Sequence, residues 1–133
     1  MAFYNEEINN EEMKENVIKI KTYAFALRIV KLYKFLCEDK KEFVISKQLL
    51  RSATSVGANT EEADAGQSKR DFIAKLQISL KEAKESHYWL RLLKDAEYID
   101  NQTFNSLIKD CNEVITILIA ILKTAKNNLN NRK

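Results

Sequence analysis

The feature that most constrains the fold of this chain is its near lack of turn-forming residues. Its 133 residues include no proline and only two glycines, Gly57 and Gly66, where average usage would give about nine glycines and six or seven prolines. Hairpin turns, type II turns and barrel corners depend on these residues, so an all-β fold is strongly disfavoured. A glycine-rich phosphate loop is equally disfavoured, because no Gly-x-Gly occurs. The sequence therefore predicts an all-α protein.

Composition is typical of one globular domain in the cytoplasm. Apolar residues make up 45% of the chain and charged residues 31%, which is unlike a disordered or a membrane protein. The longest strongly apolar run, Val114–Leu122, is far shorter than the roughly 20 residues that span a bilayer, and the N-terminus lacks the pattern of a signal peptide.

Cys37 and Cys111 have neither Cys-x-x-Cys spacing nor a histidine partner, which favours inert free thiols over a disulfide. The net charge of +3 is too small to imply nucleic-acid binding by itself.

Helix start signals divide residues 1–133 into four helical segments of a single domain. Their expected limits are residues 10–39, 46–66, 68–97 and 100–126, with frayed polar ends. The predicted N-caps are Ser46, Ser68 together with Asp71, and Asp100. Gly66 is expected to close the second helix in the left-handed conformation. Because the connections are short, neighbouring helices should be antiparallel in an up-down-up-down four-helix bundle.

The first and fourth helices are more apolar than a monomeric bundle requires. Only six residues between Val17 and Cys37 are polar, and apolar side chains point in every direction around the segment 114–122. A bundle helix normally buries one stripe and leaves its other face polar. We therefore expect self-association through these two helices. The predicted interface residues are Val114, Ile117, Ile119 and Ile121.

The residues needed for catalysis or metal binding are scarce. A di-metal bundle site uses two Glu-x-x-His pairs, whereas the only histidine, His87, has Lys84 three positions before it. One histidine and two distant cysteines do not make a zinc site, and no Gly-x-Ser-x-Gly elbow is present. The sequence predicts a protein without enzymatic activity, cofactor or metal.

The second helix carries a polar stripe beside its expected core stripe. Arg51, Ser55 and Glu62 share one side of the helix. This pattern fits a tight helix crossing with a structural ion pair, for example between Arg51 and Glu85, and it also fits a ligand site. The predicted structural polar residues are Arg51, Asn59, Glu62 and Glu85. The predicted core stripe is Leu49, Ala53, Val56, Thr60 and Ala63.

Two lines of basic residues are the strongest candidate for a binding surface. On the third helix they occupy positions i, i+3, i+7 and i+10, and on the first helix they are seven residues apart. Like charges at such spacing repel slightly, and a basic line could follow phosphates with Tyr88 or His87 as a stacking group. A solvated face that serves only solubility explains the same pattern, so both interpretations remain open here. The candidate nucleic-acid residues are Lys81, Lys84, His87, Arg91 and Lys94 on the third helix and Lys21 and Arg28 on the first, with Lys14 and Lys31 on the same line.

The stretch from Gln48 to Leu93 resembles a known bacterial family. The motifs are QLLRSATSVGAN at 48–59, EEA at 61–63, QSKRDFI at 67–73, SLKEAKE at 79–85 and YWLRLL at 88–93. In them the chain is similar to the four-helix-bundle family encoded in intervening sequences of 23S ribosomal RNA genes. Thr60 departs from the pattern, since many members carry isoleucine there, and this softens the core at that point.

The resemblance implies a four-helix bundle that assembles as a ring, typically a homopentamer with a central channel, and that has no established enzymatic activity. The fold is also similar to that of the accessory variability protein of diversity-generating retroelements, which binds nucleic acid and a reverse transcriptase. The expected function is therefore a non-enzymatic oligomer that binds RNA or DNA through basic helix faces. The alternative is a protein-interaction scaffold with no nucleic-acid role.

Overall fold

The computed structural model describes residues 2–65 and 68–131, and over these ranges the chain is helical with no strand. The elements are α1 (Ala2–Glu38), α2 (Ile45–Asp64), α3 (Lys69–Asp95) and α4 (Asn101–Asn131). The all-α prediction is confirmed. The two terminal helices extend beyond their expected limits, since α1 begins at Ala2 rather than near Asn10 and α4 continues past Lys126. Gly66, the expected end of α2, lies outside the described residues.

The four helices form a closed square in which each helix packs against two neighbours. The contacting pairs are α1–α2, α2–α3, α3–α4 and α1–α4. Salt bridges from Lys21 to Glu113 and from Arg28 to Asp110 join α1 to α4. Residue numbers rise along one helix as they fall along the other, so these two helices are antiparallel. This packing agrees with the predicted bundle.

A narrow seam of small polar residues joins α2 to α3. The hydroxyls of Ser52 and Ser86 are 2.8 Å apart, and those of Thr60 and Ser79 are 3.1 Å apart. Thr60 also donates to the Val56 carbonyl at 2.8 Å. Its hydroxyl is therefore fully satisfied, which explains why the core accepts threonine at this position. The predicted core stripe of α2 is confirmed, since all five of its residues are buried: Leu49, Ala53, Val56, Thr60 and Ala63.

Two of the predicted helix caps are confirmed. The Ser68 hydroxyl accepts a hydrogen bond from the backbone N–H of Asp71 at 3.1 Å. The Asp100 carboxylate accepts from the N–H of Thr103 at 2.7 Å. Each bond satisfies an N–H group that a helix start leaves without a partner.

The predicted cap at Ser46 is wrong. Ser46 lies inside α2, and its hydroxyl donates back to the Glu42 carbonyl at 2.8 Å. The buried Glu42 carboxylate accepts instead from the N–H groups of Val44 (3.0 Å), Ile45 (2.8 Å) and Ser46 (2.7 Å). A side chain from the α1–α2 connection thus supplies all the capping at this end of α2.

Much of the apolar surface of α4 belongs to the subunit's own core. Val114 and Ile121 are buried, and Ile117 packs against the same cluster. Of the four predicted interface residues, Ile119 is the exposed one, at 47%. Val114 and Ile121 are therefore core residues and present no exposed surface to a partner. The physical reason is that α4 packs against both α1 and α3, so that more than one stripe of the helix is covered.

Candidate nucleic-acid interface

Four side chains of the predicted basic line share one flank of α3, and we call them the α3 basic stripe: Lys84, His87, Arg91 and Lys94. They extend over about 15 Å of helix, given a rise of roughly 1.5 Å per residue. The flank borders α4, because the Lys94 ammonium lies over the Phe104 ring at 4.8 Å from its centroid. Lys84 and Arg91 are exposed, as is Lys81 at the margin, while His87 and Lys94 are half-buried. The structure thus places the predicted α3 residues together on one accessible surface.

The charges of this stripe are not neutralised locally. No salt bridge among the side chains described, those of residues 11–65 and 68–131, involves Lys81, Lys84, Arg91 or Lys94. The neighbouring helix α4 directs its carboxylates elsewhere, since Asp110 and Glu113 both pair with α1. The positive charge on this flank of α3 is therefore available to an anionic ligand.

On the second predicted basic line, on α1, Lys21 and Arg28 are paired with carboxylates, whereas Lys14 and Lys31 take part in none of the salt bridges described for residues 11–65 and 68–131. Lys21 pairs with Glu113 at 2.5 Å. Arg28 pairs with Asp110 at 2.5 Å and donates to the Ser106 hydroxyl at 2.8 Å. These two α1 residues connect helices and are largely neutralised, so they are weaker candidates for phosphate contacts than the α3 basic stripe.

Tyr88 lies at the outer edge of the stripe and keeps 49% of its surface exposed. The Arg91 guanidinium lies over its ring at 5.8 Å from the centroid. The ring also meets Trp89 edge to face, with centroids 4.9 Å apart. Trp89 in turn donates its indole N–H to Glu85 at 3.2 Å. An accessible aromatic ring thus stands among the basic side chains, held by contacts on α3.

His87 serves the stripe as a neutral group. Burial lowers the pKa of His87, and the nearby positive charge of Arg91 lowers it further. The imidazole is therefore mainly uncharged at pH 7. It can donate and accept hydrogen bonds there, and the cationic members of the stripe are Lys84, Arg91 and Lys94.

The polar stripe of α2 is engaged in structural contacts. Arg51 pairs with Glu85, as the sequence predicted, and also with Glu82 at 3.1 Å. Its side chain is still 49% exposed, so this is a surface cluster. Glu62 is separate and pairs with Lys75 at 2.7 Å, while Asn59 donates to the Ser55 carbonyl at 2.9 Å. These contacts favour the structural interpretation over a ligand site.

An open cleft of about 1090 Å³ lies between the C-terminal half of α1 and the α3–α4 connection. Its lining combines basic residues with carboxylates from the end of α3 and from the connection. Those carboxylates oppose an anionic ligand, so the cleft is a poorer phosphate site than the stripe that adjoins it. The charged lining residues are Arg28, Lys31, Lys40, Lys94, Asp95, Glu97 and Asp100.

The outer surface of α1 carries a line of apolar residues, and the sequence did not identify these residues individually. We call it the α1 apolar face: Met13, Val17, Ile20, Ala24 and Leu27. All five are exposed, Ile20 to 69%. Their spacing alternates between four and three residues, as in the seam of a coiled coil. This spacing was the signal that could have located the face from sequence.

The described residues hold few other groups capable of chemistry. They contain no group of three or more His, Cys, Asp or Glu side chains that could hold a metal ion. None of the helices, as far as they are described, is long and apolar enough to cross a membrane. Both cysteines are free thiols, and burial raises the pKa of Cys111 to about 12, which makes this thiol unreactive at neutral pH.

Fold and surface together define a helical-bundle protein whose most distinctive exposed chemistry is a basic helix flank beside an accessible aromatic ring. The family model described as 23S rRNA-intervening sequence protein matches residues 14–120. The chain belongs to this family, which confirms the resemblance seen in the motifs of α2 and α3.

A solved structure agrees with this assignment. The chain is similar to a crystal structure of a protein of unknown function from the S23 ribosomal protein family of Bacteroides thetaiotaomicron VPI-5482. The two are 55% identical, the match covers 83% of this chain and 98% of that one, and the TM-score is 0.82. No curated protein matches the chain. Neither the family nor this neighbour is described with a catalytic activity.

Proposed function

We propose that this protein is a cytoplasmic, non-enzymatic nucleic-acid-binding protein and that RNA or DNA lies along the α3 basic stripe. The observation that carries the proposal is the charge state of the stripe: its cationic side chains make no salt bridge within the described ranges, whereas Lys21 and Arg28 on α1 do. Leaving like charges unpaired on one helix flank lowers stability slightly. Such a surface binds phosphates by releasing their counterions.

A fluorescence anisotropy titration at several salt concentrations tests the proposal. Structured RNA, single-stranded RNA and duplex DNA serve as ligands. We expect affinity to fall steeply as salt rises, and each phosphate contact that a variant loses should reduce the slope of log affinity against log salt by about 0.7 to 0.9. Absence of binding to every ligand at low salt would reject the proposal and favour the scaffold alternative.

A matched pair of double variants separates the stripe from diffuse charge. Lys84→Gln with Arg91→Gln should weaken binding and flatten the salt dependence. Lys123→Gln with Lys126→Gln removes the same charge from exposed positions of α4 and should have little effect. Equal effects of the two pairs would mean that the stripe has no special role.

We also propose that the protein self-associates through the α1 apolar face, with the homopentamer that the family resemblance implies as the expected state. The support is a continuous exposed apolar line on one helix, of a kind that monomeric proteins rarely leave uncovered. A self-associating ring would also present the α3 basic stripe in several copies, which strengthens binding through avidity.

Light scattering tests this assembly. The native chain of 15.5 kDa should give a mass several times larger, and Ile20→Glu should reduce that mass because it would bury an unpaired charge at the interface. Val44→Glu is the control, since Val44 is exposed and lies after the end of α1, outside the α1 apolar face. A monomer at micromolar concentration would refute self-association. An intact assembly without nucleic-acid binding would support the protein-interaction scaffold.

A further inference from the structure

We infer that the α3 basic stripe selects single-stranded over duplex nucleic acid, with an unpaired base stacked on Tyr88; this inference rests on the proposed nucleic-acid role. Tyr88 follows Lys84 by four residues and precedes Arg91 by three, so it lies about one helix turn from each cation on the same side of α3. About half of its surface, 49%, is exposed. A base in a single strand has a free face for such a ring, whereas a base in a duplex is already stacked on both sides.

The contacts of Tyr88 prepare it for stacking. The Arg91 guanidinium over the ring and the edge contact with Trp89 limit its rotation. Trp89 is itself fixed by its hydrogen bond to Glu85. A ring that is already held loses little conformational entropy when a ligand binds. Arg91 can contribute in a second way, because planar guanidinium groups also stack on bases.

The arrangement of charge favours one phosphate backbone over two. The α3 basic stripe is a single line of about 15 Å, which can follow one strand. A duplex presents two backbones on either side of a groove, and a second basic line would let a protein contact both. The nearest such line, on α1, holds Lys21 and Arg28 in salt bridges to Glu113 and Asp110 of α4. Because α4 lies between α1 and α3, these carboxylates separate the two lines.

The neighbouring cleft does not supply that second line. Its lining places Asp95, Glu97 and Asp100 together with Lys31 and Lys40. A second phosphate backbone in the cleft would meet three carboxylates. The favourable route for a strand is therefore along the stripe and past Tyr88.

The test compares one labelled oligonucleotide, as RNA and as DNA, with the duplex formed from the same sequence, by fluorescence anisotropy at low salt. Single strands should bind more tightly than the duplex. Tyr88→Ala should weaken single-strand binding about 5- to 150-fold, the range for loss of one stacked base, and leave duplex binding unchanged. Tyr88→Phe keeps the ring and should bind as the native protein does. Tyr23→Ala, which removes an exposed tyrosine from α1, is the control and should have no effect.

The possible outcomes separate this inference from the proposed function. The stacking inference is wrong if single strand and duplex bind equally and Tyr88→Ala changes the affinity for neither. The proposed function still stands in that case if the Lys84→Gln with Arg91→Gln variant weakens binding of both. If the native protein binds no nucleic acid at low salt, both are rejected. Circular dichroism verifies that each variant is folded. Tyr88→Leu keeps an apolar contact to Trp89 without an aromatic face, so it should reproduce the loss seen with Tyr88→Ala even if alanine disturbs the helix.

Discussion

Replacing Glu42 by alanine should destabilise the bundle more than any exposed charge substitution. The substitution leaves the N–H groups of Val44, Ile45 and Ser46 without their common acceptor. A hydrogen bond to a charged group contributes about 1.5–3 kcal/mol, and loss of an N-cap costs about 0.5–2 kcal/mol. Water can replace the acceptor at the partly buried amides of Val44 and Ile45 but not at the buried amide of Ser46. We therefore expect the free energy of unfolding to fall by about 2–4 kcal/mol.

Urea denaturation followed by far-UV circular dichroism measures this loss. Glu38→Ala is the control, since Glu38 is an exposed carboxylate at the C-terminal end of α1, where the helix dipole disfavours an acid. It should leave stability unchanged or raise it slightly. A loss below about 1 kcal/mol in Glu42→Ala would show that the three amides find other partners, and would refute the capping argument.

The same carboxylate predicts a pH dependence. Burial by itself would raise the pKa of Glu42, but the hydrogen bonds from Ser46, Ile45 and Val44 lower the pKa below the ordinary value of 4.5. Because the folded-state pKa is the lower one, the stabilisation is fully present above the unfolded-state pKa and is lost as pH falls through the folded-state pKa. The difference in stability between the native protein and Glu42→Gln should therefore shrink as pH is lowered below about 4.5. A difference that stays constant from neutral pH into this acid range would contradict the assignment.

Three further substitutions test the backbone and the surface ion pairs. Gly57→Ala should raise stability by up to about 1 kcal/mol, because alanine favours the helix more than glycine does. The added Cβ would meet Thr22 atoms at 3.6 Å, which is an ordinary contact. A fall in the thermal midpoint would mean that α1 and α2 approach each other more closely than this. Glu97→Gly should stabilise by about 0.5–1 kcal/mol, since Glu97 directly follows the C-cap of α3 and has φ 67°. Gln77→Gly, at an exposed interior position of α3, is its control and should destabilise by a similar amount. Arg51→Ala should cost about 1 kcal/mol or less because the Arg51 side chain itself is half exposed. A measured loss of about 3 kcal/mol or more in urea would instead indicate a buried pair.

Helix starts were predictable where the cap is local in sequence. Ser68 and Asp100 each bond an N–H three residues later, so a short sequence window contains both partners. The cap of α2 is different because its acceptor, Glu42, reaches forward from a connection that contains Lys41 at φ 54°. That geometry depends on how the connection leaves α1, which residue spacing does not reveal.

The sequence could predict which basic residues share a surface, but not which of them are paired in salt bridges. Spacing along one helix placed Lys84, His87 and Arg91 on the same flank, and the structure agrees. The α1 line looked equivalent in sequence, yet Lys21 and Arg28 are paired with α4. The pairing of Lys21 and Arg28 depends on a helix about 80 residues away in sequence, so helix periodicity alone could not reveal it.

By itself, the sequence determined the all-α class, four helices and the face of α2 that enters the core. These properties follow from the scarcity of glycine and proline and from a period of about 3.6 residues, both of which act over a few neighbouring residues. Only the tertiary structure decided that Val114 and Ile121 are core residues, that the exposed apolar line lies on α1, and that the carboxylates of α4 face α1 instead of α3. Each of these depends on the rotation and register of one helix against another, which are set jointly by the packing of side chains from all four helices.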